Sequence, residues 1–225
     1  MKLSIIIPAY NEEEIIGGAL DVLLAAGFSS YEFIVVENGS SDKTAQIVKS
    51  YAKNHPEVVL SSLKEASFGG AIREGVRLAK GKYVVLLNAD WIDTEFIAAA
   101  TKLLGQYDIV VGSKVLDKNL DQRPFVRKVL SRILTYVLHR SFGFKLSDSH
   151  GLKAWNSSQN TLWLKSMQNE IIETEFLLRA MHEDSSMTEI AVKIEEHRAP
   201  RISIFKRGVT MLRELRRLYA IKSQL

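Results

Sequence analysis

Leu3-Ser4-Ile5-Ile6-Ile7-Pro8-Ala9-Tyr10-Asn11-Glu12 sets a short apolar run directly before a proline and a polar loop. A β-branched run this short, closed by a turn signal, reads as a strand buried on both faces of a sheet. The same figure recurs at 33–36, 58–61, 83–87 and 109–111. Segments of helical period lie between these runs, so the pattern predicts repeated β-α units around a mostly parallel sheet, an α/β fold. The clearest helix is 12–26, where Ile16, Leu20, Leu23 and Leu24 share one face and Asn11 with Glu14 predicts a capping box.

A chain of 225 residues suits one sizeable core rather than two, so a single domain is expected, with halves at 1–112 and 113–225. Cysteine is absent, which excludes disulfides and thiolate metal sites and makes a cytoplasmic location the expectation. The run at 3–7 is too short for a secretion signal, and no apolar stretch approaches the ~20 residues of a spanning helix. Any membrane contact is therefore expected to be peripheral. The net charge is +4, and the basic residues gather after Lys114, as a phosphate-bearing or lipid partner would require. No nucleic-acid partner is expected.

Beyond Gly112 the pattern changes. A polar segment through Gln122 precedes a basic amphipathic helix predicted at 124–142, and a turn is predicted at 147–151. An alternating stretch at 187–194 reads as a strand, and 204–221 as a helix carrying Lys206, Arg207, Arg213, Arg216 and Arg217. That helix fits an anionic lipid surface or the protein's own core.

In an open parallel sheet, ligands collect at the carboxyl ends of the strands. Three loops there are polar: Pro8-Ala9-Tyr10-Asn11-Glu12-Glu13, Glu37-Asn38-Gly39-Ser40-Ser41-Asp42-Lys43-Thr44, and Asn88-Ala89-Asp90. Taken singly, the first is a strand stop before a helix and the second an ordinary strand-turn-helix connection. Together and in this order they resemble the family 2 inverting glycosyltransferases of the GT-A fold, especially the polyprenyl-phosphate (dolichol-phosphate) mannose or glucose synthases. The likeness extends over most of the chain.

The resemblance implies a nucleotide-sugar-binding half, 1–112, and an acceptor-binding half, 113–225. Pro8, Tyr10, Glu12, Glu37 and Asn38 would line the nucleoside, Tyr10 offering an aromatic face and Glu12 an acceptor for base N–H groups. Asn88-Ala89-Asp90 would stand where the family carries Asp-x-Asp, its carboxylates holding a divalent ion on the diphosphate. Asp90 and Asn88 are thus the implied ligands for Mg²⁺ or Mn²⁺, and Asn88 brings an oxygen without a charge. Asp93 follows Ile92 and reads better as a helix cap than as a ligand. The segment Phe68-Gly69-Gly70 resembles the family's glycine-bearing stretch, and reads equally as a helix start.

On the acceptor side, Lys114 would take the place of the family's Arg after Gly-Ser. Arg127 and Ser131, one helical turn apart, would hold a lipid phosphate, although the spacing alone fits a solvated basic face as well. Asp148 would face the reaction centre, Glu175 would be a helix-borne acid near the acceptor, and Arg198 and Arg201 would meet the diphosphate. The expected activity is transfer of a hexose from a nucleotide diphosphate sugar to a polyprenyl phosphate. Transfer to a sugar hydroxyl, or a non-catalytic binding protein that kept the fold, are the alternatives. A lone His150 beside the turn reads as a structural hydrogen-bonder rather than a base.

Overall fold

The computed structural model describes residues 3–117, 119–166, 171–194 and 204–225. The strands are β1 (Leu3–Ala9), β2 (Tyr31–Asn38), β3 (Val58–Leu63), β4 (Tyr83–Leu86), β5 (Ile109–Ser113), β6 (Leu152–Asn156) and β7 (Met187–Ala191). The helices are α1 (Ile16–Ala25), α2 (Thr44–Asn54), α3 (Phe68–Leu78), α4 (Thr94–Leu103), α5 (Phe125–Phe142), α6 (Asn160–Lys165), α7 (Ile172–His182) and α8 (Ile204–Ile221). The strands form one sheet in the order β3-β2-β1-β4-β6-β5-β7. Every neighbouring pair is parallel except the two made by β6, which runs against both β4 and β5.

This topology explains the opening run. β1 lies between β2 and β4, and Ile5, Ile6 and Ile7 are wholly buried because successive side chains enter cores on opposite faces. Ile5 and Ile7 join a core closed by α1, α2 and α4, while Ile6 joins one closed by α3 and by α5 to α8. On the second face Trp163 stacks on Phe176, their ring centroids 4.1 Å apart, and Trp155 packs against both. The expected α/β class and mostly parallel sheet are thus the fold observed.

Four local expectations need correction. α1 begins at Ile16 and not at Glu12, because Asn11, at φ +52°, turns its amide oxygen to the backbone N–H of Ser41 and does not cap the helix. α2 begins at Thr44 and not near Ser41, where the Gly39-Ser40 turn in the sequence sets its start, the turn itself running through Gly39 at φ +72°. Pro8, Glu37 and Asn38 are paired residues of β1 and β2, so the sheet extends further toward its carboxyl edge than the apolar runs do. β7 stops at Ala191, three residues short of the alternating stretch. The terminal helix settles on the protein's own core through Leu215, Leu218 and Ile221, while Leu212 and Tyr219 remain exposed. Among the described residues, no helix is long and apolar enough to cross a membrane.

β6 was not anticipated, and its position is set by a glycine. A Cβ on Gly151 would lie 2.0 Å from the carbonyl oxygen of Gly112, a backbone atom held in the sheet. Gly151→Ala is therefore expected to destabilise the fold by about 3 kcal/mol or more, since overpacking against a fixed backbone cannot relax. Gly18→Ala, on an exposed helical position with nothing within 4 Å, should stabilise by roughly 0.5–1 kcal/mol. Urea unfolding of both variants checks the contrast.

Candidate active site

The parallel strands bring residues 8–13, 37–44, 88–93 and 113–115 to one edge of the sheet, and the antiparallel course of β6 adds 147–151 to that edge. The first two loops are bonded to each other. Asn11 N–H donates to Ser40 Oγ (3.0 Å), Glu12 N–H to Thr44 Oγ1 (2.8 Å) and Glu13 N–H to Asp42 Oδ2 (3.1 Å). In return Ser41 N–H donates to Asn11 Oδ1 (2.8 Å) and Lys43 N–H to Glu13 Oε2 (3.0 Å). The exchange satisfies backbone donors that neither loop could satisfy alone. It leaves the Tyr10 ring 44% exposed above the rim, available as a flat apolar face.

Glu37 and Asn38 are buried beneath this rim and already engaged. Glu37 accepts from Ser40 N–H, and Asn38 Oδ1 accepts from Ser67 N–H at 2.6 Å, tying β2 to the residue that caps α3. The glycine-bearing segment is accordingly a helix start. Pro8 is buried in β1, and Glu12 is half-buried at the rim. Of the residues expected around the nucleoside, Tyr10 and Glu12 stand at the surface of the edge, and the others shape it from below.

The loop after β4 turns back on itself, Trp91 N–H donating to the Asn88 carbonyl at 2.9 Å. Ala89 is buried in that turn, and Asp90 is exposed with no hydrogen bond or ion pair among the described residues. Asp93 caps α4, accepting from Phe96 N–H at 2.7 Å, so it is spent structurally. Among the described residues no group of three or more His, Cys, Asp or Glu is poised for a metal. One free carboxylate and one amide oxygen suit a hard cation that retains waters and draws its remaining ligands from a diphosphate, as Mg²⁺ commonly does. They do not make a cage for a resident ion.

Beside this loop, Lys114 and Asp148 form a buried ion pair at 2.9 Å. The Lys114 ammonium also donates to the His150 carbonyl and lies 5.3 Å from the centre of the Trp91 ring, joining the β4 loop to the turn before β6. Burial alone would raise the Asp148 carboxyl, but the Lys114 charge and the N–H groups of His150 and Lys114 hold it well below the usual carboxylate range. Under the same turn sits Glu189 of β7, accepting from Ser147 N–H (2.8 Å), Ser147 Oγ (2.9 Å) and Asp148 N–H (3.3 Å). Burial pushes the Glu189 carboxyl up despite those bonds. Glu189 was not singled out from the sequence; an acid within an alternating strand was the available signal.

On α5, Arg127 and Ser131 stand one helical turn apart. Ser131 Oγ accepts from Arg123 at 3.2 Å, and Arg123 grips both carboxylate oxygens of buried Asp121 at 2.9 Å. Arg127 is half-buried one turn before Ser131. Glu175 is fully buried and bonded to Arg179 at 2.8 Å, whereas Glu173 is the acid that reaches Lys153 in β6. Arg198 and Arg201 lie outside the described residues.

The model of glycosyl transferase family 2 matches residues 4–158, which takes in all of the loops just described except those of the last third. The chain belongs to glycosyl transferase family 2. It is a glycosyltransferase with the GT-A fold. A dolichyl-phosphate beta-glucosyltransferase of Drosophila melanogaster is 28% identical over 96% of this chain and 73% of its own length. An undecaprenyl-phosphate 4-deoxy-4-formamido-L-arabinose transferase of Edwardsiella ictaluri is 32% identical over 69% of this chain and 49% of its own. In fold, the chain resembles glucosyl-3-phosphoglycerate synthase of Mycobacterium tuberculosis, solved with Mn²⁺, UDP-glucose and phosphoglyceric acid. The TM-score is 0.75 at 18% identity, over 99% of this chain and 80% of that one.

In the glycosyltransferase, Asp148→Asn would strand the Lys114 charge and is expected to cost about 3–5 kcal/mol, with Lys114→Met similarly costly. The double variant should cost less than the sum by at least about 1 kcal/mol, measured as a double-mutant cycle in urea. Because Asp148 is depressed in the folded state, its contribution is present above its ordinary value of 3.8. It is lost only as pH falls through the lower folded value, so the coupling should be the same at pH 5 as at pH 7.

Proposed function

We propose that this glycosyltransferase moves a hexose from a nucleoside diphosphate sugar to a polyprenyl phosphate, with inversion, working peripherally at a membrane surface. One observation carries the choice of acceptor: Asp148, which this reading sets at the reaction centre, forms a buried ion pair with Lys114 at 2.9 Å and accepts from the N–H groups of Lys114 and His150. A carboxylate so stabilised is a weak base, and a sugar hydroxyl would need a base to surrender its proton. A phosphate monoester is already mostly ionised near neutral pH and needs none. The names of the relatives from Drosophila and Edwardsiella, both of which specify a polyprenyl phosphate, support the same reading.

On this reading the Tyr10 ring covers the base, and Glu12 accepts from its N–H groups. The backbone-bonded rim between 11–13 and 40–44 would hold that half of the donor in place without reordering. Asp90, with the Asn88 oxygen, would hold a Mg²⁺ or Mn²⁺ ion that, when bound, offsets the charge of the departing diphosphate. Arg198 and Arg201 would add cations to the same oxygens. Asp148 sits opposite as a fixed negative charge that favours positive character at the anomeric carbon. An acceptor phosphate oxygen then attacks in line from the α5 side, and the nucleoside diphosphate leaves.

A second reading, transfer to a sugar hydroxyl, is favoured by Glu189 alone, whose raised carboxyl would be the better base. Its oxygens are committed to Ser147 and Asp148.

The test is turnover of labelled UDP- and GDP-hexoses with polyprenyl phosphate and Mn²⁺. A lipid-linked sugar is the expected product, and folded protein that yields none with any donor would sink the proposal. Asp90→Asn is expected to lower turnover about a hundredfold or more. Asn88→Asp should tighten Mn²⁺ in the presence of UDP by about tenfold, read by calorimetry, because it adds a charge to the ligand set.

A further inference from the structure

We propose that Glu189 is a positioning residue for the transfer: from β7 it holds the main chain of the turn that carries Asp148, and so sets where the Asp148 carboxylate stands. This rests on the reading that places Asp148 opposite the anomeric carbon. It gives Glu189 a part in the reaction other than that of a base.

The turn before β6 presents three donors to one side chain. Ser147 N–H donates to Glu189 Oε2 (2.8 Å), while Ser147 Oγ (2.9 Å) and Asp148 N–H (3.3 Å) donate to Glu189 Oε1. An ionised carboxylate accepts on both oxygens and donates on neither, so it satisfies all three; an amide of the same shape would turn an NH₂ toward one of them. Ser147 Oγ also meets Ser113 Oγ at 2.7 Å, and Ser113 Oγ accepts from Val115 N–H at 3.3 Å. The grip on the turn therefore reaches from β7 to the end of its paired neighbour β5, where Glu189 stands opposite Val111.

Asp148 is thereby held twice. Its carboxylate is fixed by the Lys114 ammonium and by the N–H groups of Lys114 and His150, and its own N–H by Glu189. Lys114 on its flexible stem can follow a carboxylate that shifts, whereas Glu189 is anchored by the register of β7. Thr135 and His139 of α5 bond the carbonyls of Ser147 and Leu146, which fixes the approach to the turn, and Glu189 takes hold of Asp148 itself. The two carboxylates repel: after burial, the Asp148 charge is a further cause that pushes the Glu189 carboxyl up. An apolar residue at 189 would continue the half-buried strand without that repulsion, but would leave the donors of the turn unsatisfied.

Steady-state kinetics of the wild type, Glu189→Gln, Glu189→Ala and a control, Ile190→Ala, decide the matter, with hydrolysis of the sugar donor by water measured beside transfer to polyprenyl phosphate. Ile190 enters the core on the opposite face of β7, so its truncation loosens the strand without touching the turn. Glu189→Gln keeps one acceptor oxygen and should lower kcat about tenfold, and Glu189→Ala about a hundredfold, as misplacement of a reacting group by about an ångström does. In both, KM for the donor and Kd for UDP with Mn²⁺ should stay as in the wild type, and Ile190→Ala should keep the wild-type kcat. Added to Asp148→Asn, Glu189→Gln should change kcat by less than about twofold, because it acts through Asp148. If Asp148→Asn does not fold, Ser147→Ala takes its place in the cycle: it removes one of the three donors and should lower kcat by less than Glu189→Ala does. An unchanged kcat in Glu189→Ala, a loss carried by donor KM instead, an equal loss in Ile190→Ala, or a full further loss on top of Asp148→Asn or Ser147→Ala overturns the assignment. A loss in Glu189→Gln as deep as in Glu189→Ala makes the group a base and overturns it too. A wild type that hydrolyses the donor but transfers to no lipid phosphate removes the acceptor reading, and the same comparison made on hydrolysis still decides the part of Glu189; a wild type that does neither overturns both.

Discussion

Two charges that could not be buried singly, Lys114 and Asp148, hold the end of β5 to the turn that leads into β6. Much of the site follows from that ion pair. It sets the turn before the antiparallel strand at the carboxyl edge of the parallel ones, and through the Trp91 ring it reaches the loop that carries Asp90. An apolar pair of similar volume could pack there at no loss of stability. The charged pair brings something packing cannot, a carboxylate that remains ionised in a buried position.

The parallel half was legible in the amino-acid sequence because a central strand buried on both faces leaves a continuous apolar mark, as at Ile5, Ile6 and Ile7. The antiparallel insertion was not. β6 carries Lys153, a fully buried lysine whose ammonium is satisfied by Glu173 and the Gly151 carbonyl. A charge at the second place of a five-residue run erases the apolar signature, and the partner that makes it tolerable is 20 residues distant. The edges of elements blurred for a related reason: Asn11 has the chemistry of a helix cap, but a loop from another part of the chain claims its side chain.

The candidate site was readable to the extent that it depends on position along strands. Tyr10, Asp90 and Lys114 lie at the edge where parallel strands end, so strand order gathers them, while it is the unanticipated antiparallel β6 that brings Asp148 to the same edge. Side-chain partnerships were beyond reach. Helical spacing pairs Arg127 with Ser131, yet the arginine that reaches Ser131 is Arg123, from before the helix, because buried Asp121 turns it inward. Glu173 and Glu175 are equally acidic and two residues apart, and only their different neighbours, Lys153 and Arg179, tell them apart.

The mutual bonding of the first two strand-end loops carries a consequence for inheritance. Each loop's main chain is held by the other's side chains, so neither can drift independently. Changes at Asn11 or Glu13 should be tolerated in descendants chiefly when Ser41 or Lys43 finds a substitute acceptor. The rim would then diverge as a unit, and a shift in nucleotide preference would require exchanging both segments together.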